Sequence, residues 1–86
     1  DARQESWGRL ERLSSGGARL STISELRAGQ RLRLSFEVNG ERFEAAGARV
    51  DHAEQDMDGF FCADLDFEDA LDRRRLAKTL ADLLSR

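Results

Sequence analysis

The sequence predicts a mainly β domain: a small antiparallel barrel or curled sheet of about five strands, closed by one C-terminal helix. Three observations carry that prediction. Arg31–Val38 alternates apolar and polar side chains without a break, as a half-buried strand requires. Asn39-Gly40 follows at once, the dipeptide of a two-residue hairpin turn. From residue 66 onward the apolar period becomes helical, with Leu76, Ala77, Leu80, Leu83 and Leu84 on one stripe.

The elements follow in order within a single domain, with 1–5 as a flexible polar lead-in, 6–65 as the barrel and 66–86 as the helix. Residues 6–13 form the first strand, with apolar Trp7, Leu10 and Leu13 and a bend at Gly8. Trp7 is read as core, with an exposed anchor for a partner as the alternative. Ser14-Ser15-Gly16-Gly17 is a polar turn whose glycines free the backbone and whose N–H groups are unobstructed. Such a turn receives an anion or serves as a plain corner. Residues 18–23 give the second strand and 24–30 a loop.

In the third strand Leu32, Leu34, Phe36 and Val38 share one face, and Arg31, Arg33, Ser35 and Glu37 the other. The return strand starts at Glu41, runs through Phe43 and Ala45, bulges at Gly47 and resumes at Ala48 and Val50. Residues 51–59 read as an acidic loop and 60–65 as the last strand. Asp66 is placed at the helix N-cap with Asp69 as its capping-box partner, and the helix covers 67–84. Asp69–Arg73 and Asp72–Arg75 have helical pairing distances, so Arg73, Arg74 and Arg75 read as a solvated face rather than a docking patch.

Composition excludes several classes. A net charge of −3 argues against DNA or RNA binding by general electrostatic attraction. A single cysteine precludes an internal disulfide and fits a reducing, cytoplasmic compartment. No stretch approaches the ~18 apolar residues of a membrane span. The chain opens on Asp1 rather than Met and is expected to be a piece of a larger protein. His52, Glu54, Asp56 and Asp58 alternate like a metal loop, but the spacing and closing glutamate of a calcium-binding hand are missing. Cys62 sits in an apolar strand as an inert thiol. No nucleophile–base spacing or phosphate loop is present, so no enzyme, metal or cofactor is assigned.

Gly8-x-Leu10 leads into Ser14-x-x-Gly17-Ala18-x-Leu20, then Ala28-Gly29-Gln30-Arg31-Leu32-Arg33-Leu34. A hairpin, Ala48-Arg49-Val50, an aromatic strand and a charged leucine-rich helix complete the order. Over residues 7–84 this resembles the PilZ domain family. The resemblance implies a bacterial β-barrel with a C-terminal helix and, in many members, binding of cyclic di-GMP. In that family an R-x-x-x-R segment ahead of the first strand and a D/N-x-S-x-x-G turn hold the ligand. Arginines suit guanine edges and phosphates through bidentate hydrogen bonds and stacking.

Carried onto this chain, the Ser position is Ser14 and the final Gly is Gly17. The D/N position falls on Arg12, a donor-only guanidinium where the family has an oxygen acceptor. Arg3 is followed by Trp7 where a second arginine belongs. The implied ligand set is Arg9, Arg12, Ser14, Gly17 and Arg19, with a solvated face as the competing reading of the arginines. The expectation is therefore a regulatory module of cyclic di-GMP signalling with an altered ligand turn, acting through protein–protein or interdomain contact. The alternative is a genuine cyclic di-GMP receptor whose arginine motif lies upstream. The family's first strand has no counterpart, so an open sheet edge is expected to pair with another domain or in a homodimer.

Overall fold

The computed structural model describes residues 6–85; the expected lead-in 1–5, with Arg3, and the terminal Arg86 lie outside them. Strands β1 (Gly8–Leu13), β2 (Gly17–Thr22), β3 (Arg31–Val38), β4 (Glu41–Gln55) and β5 (Phe61–Phe67) precede helix α1 (Ala70–Leu84). All neighbours are antiparallel in the order β1-β2-β5-β4-β3. The sheet curls into a half-barrel whose edges are β1 and β3. The mainly β architecture with one C-terminal helix is thus the one the sequence predicts.

β3 has the predicted bounds, and its turn is the predicted hairpin. Asn39 and Gly40 both take positive φ, 51° and 78°, the pair that a type I′ turn demands. Beyond the turn the structure departs from expectation. The bulge is not at Gly47 but at Glu44 and Ala45, which together oppose Ser35 between the pairs Leu34↔Ala46 and Phe36↔Phe43. Ala45 takes φ 52°, and its N–H donates to Ser35 Oγ at 3.1 Å.

β4 also continues to Gln55, so residues 51–55 are strand rather than loop. An extra residue, Asp51, stands between Val50↔Leu65 and His52↔Asp64. It resets the phase so that Ala53 faces inward again, behind Ala46, Ala48 and Val50. Two bulges bend this one strand enough to pair with β3 along its first half and β5 along its second. The acidic loop shrinks to the turn between β4 and β5, closed by Asp56 Oδ1, which accepts from the N–H groups of Asp58 and Phe60 at 2.9 Å each.

The helix begins later than expected. Phe67 is buried in β5, pairing with Ala48, and the N-cap is Asp69 rather than Asp66. Asp69 Oδ1 accepts from Leu71 N–H at 2.7 Å. Of α1, only Leu76 and Thr79 are buried, while Leu83 and Leu84 are exposed, so the leucine stripe is covered at one end only. Arg75 does not pair with Asp72: its guanidinium reaches Glu41 and the Arg42 carbonyl and lies 4.4 Å from the Phe43 ring centre. Phe43 stacks on Phe36 at 5.1 Å and, with Phe67, Val50 and Leu76, forms the centre of the core.

Trp7 is not core. β1 begins at Gly8, and Trp7 is 92% exposed; Ile23, expected in the second strand, lies beyond Thr22 and is 73% exposed. Leu10 and Leu13 both pack inward although three residues apart, because the β1–β2 register shifts between Leu10 and Arg12.

Candidate functional site

The Ser14–Gly17 turn joins β1 to β2 and is closed by its own serine. Ser14 N–H donates to the Gly17 carbonyl at 2.9 Å, and Ser14 Oγ accepts from Gly17 N–H at 3.2 Å. The hydroxyl in turn lies 3.3 Å from the Gly17 carbonyl oxygen. Gly17 is required by close approach: a Cβ there would stand 2.0 Å from the Leu65 carbonyl oxygen. Its neighbour Gly16 accepts from Phe67 N–H at 3.0 Å, tying the turn to the end of β5. Of the two residues matched to the ligand motif, Ser14 is therefore engaged in closing the turn and Gly17 in the close packing of β2 against β5.

The three arginines behave differently. Arg19, on the exposed face of β2, donates to Asp64 at 2.9 Å and approaches Glu11 at 3.9 Å. The Asp64 hydrogen bond raises the Arg19 pKa above its ordinary value. Arg9 meets Glu11 at 3.7 Å in a solvated pair. Arg12 stands opposite Arg19 across the β1–β2 ladder, is exposed, and has no ion pair among the described residues. Arg9, Arg12 and Arg19 thus belong to a solvated, largely ion-paired face.

Two cations not in the predicted set lie on the other side of the turn. Gly16, Arg49, Asp66, Phe67, Glu68 and Arg73 line an open hollow of about 420 Å³. Arg49 is held only loosely by Asp66, at 3.8 Å, and Arg73 lies beside Gly16. Sequence spacing placed Arg49 in a strand and Arg73 in a helix. The register Arg49↔Asp66↔Gly17 brings Arg49 to the turn, and α1 brings Arg73 beside Gly16.

A second surface lies at the opposite end of β2. Gly8, Thr22 and Phe61 form the last paired row, and Thr22 Oγ1 donates to the Trp7 carbonyl at 2.9 Å. One residue further, Trp7, Ile23 and Phe60 stand just beyond the ends of three adjacent strands, 92%, 73% and 41% exposed, with fully exposed Met57 in the neighbouring turn. Four large apolar side chains are thus exposed toward one end of the sheet.

The other candidates resolve simply. His52 is an exposed residue within β4, bonded to Glu54 at 3.0 Å. No cluster of three or more metal-ligating side chains occurs among the described residues. Cys62 is a buried free thiol opposite Ser21 and Glu54. Among the described residues no helix is long and apolar enough to cross a membrane. Compared with known proteins, the chain matches no family model, no curated protein and no solved structure.

Proposed function

We propose that the chain is a PilZ-type regulatory module, bacterial in origin, that works by contact with another domain or protein, its ligand turn retained as architecture. One observation carries this reading. Of the groups a ligand turn would offer, Ser14 is satisfied by Gly17, Arg19 by Asp64 and Arg9 by Glu11, which leaves Arg12 alone without an ion pair among the described residues. Meanwhile Trp7 and Ile23 stand in solvent with nothing to cover them among the described residues. Desolvating such side chains against a partner is the favourable step available to this surface. The arrangement calls for no catalytic chemistry.

Titration calorimetry with cyclic di-GMP tests the reading. The expected result is no heat at high ligand concentration. Micromolar binding that vanishes in Ser14→Ala would overturn it.

The hollow beside the turn favours a second reading. Arg49 and Arg73 line this open hollow together with Gly16, two guanidinium groups of the kind that bind phosphate. In that case cyclic di-GMP binds, and the affinity is lost in Arg49→Ala and Arg73→Ala while Ser14→Ala retains it.

A further inference from the structure

The two free edges of the half-barrel are not alike. β1 is interrupted by its register shift at Glu11, the kind of irregularity that keeps an edge strand from pairing. β3 has no such guard. It is eight residues long, has no proline, and the extra residue of its bulge lies on β4. Its inward residues Leu32, Leu34, Phe36 and Val38 are all apolar and all only half-buried, so no inward-pointing charge protects the edge.

We propose that β3 is a homodimerisation edge, pairing antiparallel with β3 of a second copy about a two-fold axis through Ser35. The occupant follows from the self-complementarity of the strand. In an antiparallel pair, opposite residues share a face, so apolar must meet apolar and polar must meet polar. Centring on Ser35 sets Leu34 opposite the partner's Phe36 and Leu32 opposite the partner's Val38. On the outer face it sets Arg33 opposite the partner's Glu37, and the symmetry makes every one of these pairs twice.

Arg33 and Glu37 are exposed, and neither has an ion pair among the described residues, so both are available. Moving the axis to Arg33 would set that arginine against itself. Moving it to Leu34 would use Arg31 in place of Arg33, but Arg31 already reaches Glu68 at 3.5 Å. The Ser35 register therefore leaves the intrachain pairs intact and adds two new ones. The resulting sheet is continuous through ten strands, twice the five of one chain.

This inference rests on the same contact-module reading but places the contact at the sheet edge opposite Trp7 and Ile23, which it leaves uncovered. Its failure is separable, because a monomer refutes the β3 pairing and leaves the cyclic di-GMP titration unaffected. The test is sedimentation velocity of the 86-residue chain over a range of concentrations. A concentration-dependent dimer is expected. Glu37→Arg and Arg33→Glu should each weaken it roughly tenfold or more, since two opposed pairs become repulsive. The double variant Arg33→Glu/Glu37→Arg should restore it.

Amide exchange on the unsubstituted chain gives an independent measure. β3 N–H groups at the free edge should be protected at high concentration and exchange rapidly at low. A monomer at all concentrations, unchanged dimerisation in Glu37→Arg, or rescue by Arg31→Glu instead of Arg33→Glu would overturn the proposal.

Discussion

Gly17 and Leu65 set the spacing of β2 and β5: the glycine lies so close to the Leu65 carbonyl that a Cβ would sit 2.0 Å from its oxygen. The obstacle is backbone, which cannot rotate away as a side chain can. Gly17→Ala should therefore destabilise by roughly 3 kcal/mol, the upper end of overpacking costs. Urea unfolding measures it, and a midpoint close to that of the parent chain would show that β2 can shift aside.

Ser14 predicts a smaller and different effect. Its hydroxyl serves the turn, so Ser14→Ala should lower stability by about 1 kcal/mol, the usual net worth of one such hydrogen bond. Because the loss is local, amide exchange should quicken at residues 14–17 and leave β4 unchanged.

Leu76 is the only fully buried leucine of α1, and Thr79 its only other buried residue. Leu76→Ala should cost about 2–5 kcal/mol. The helix is also predicted to detach before the sheet melts, because few contacts hold it. Circular dichroism should then lose helical signal at a lower temperature than the β signal; coincident transitions would refute this.

Trp7 reports its own exposure. As the sole tryptophan it should emit like a fully solvated indole and be quenched readily by iodide in the free chain. Trp7→Ala should change stability by no more than about 0.5 kcal/mol. A blue-shifted, protected emission at low concentration would mean that the side chain is covered within one chain.

The ion pair of Arg19 with Asp64 fixes one pH expectation. The folded-state pKa of Arg19 is raised by that hydrogen bond. Its contribution is complete below the ordinary arginine value and fades only as pH rises through the still higher folded value. Arg19 titration should therefore leave the unfolding midpoint unchanged between neutral and mildly alkaline pH. Salt should weaken the solvated pairs around it, such as Arg9 with Glu11.

What could be read from the residues was what obeyed a single period. Arg31–Val38 and its Asn39-Gly40 turn were legible because nothing interrupts the alternation. β4 was legible only in part: its start at Glu41 and its run to Val50 were, but its bulges and its extension to Gln55 were not, because its inward residues Phe43, Ala46, Ala48, Val50 and Ala53 are spaced three, two, two and three apart. That mixed spacing comes from the bulges at Glu44–Ala45 and Asp51, which no periodic template accommodates. The helix start was misplaced at Asp66, because the burial of Phe67 in the sheet, which moves the cap on to Asp69, leaves no mark in the local pattern. Arg49 and Arg73 were beyond reach, since their meeting beside Gly16 depends on a register set by residues far away in sequence.

β5 joins two structures that would otherwise be separate. β1 and β2 form one hairpin and β3 and β4 another, and the two touch in the sheet only through residues 61–67. Each hairpin closes locally, but a lone two-stranded ribbon is marginal in water. The pairing that unites them spans long stretches of chain, as between Arg19 and Asp64, 45 residues apart. During synthesis on the ribosome the first four strands therefore emerge as two unjoined hairpins. The sheet assembles only when its central strand, the last to be made, arrives between them.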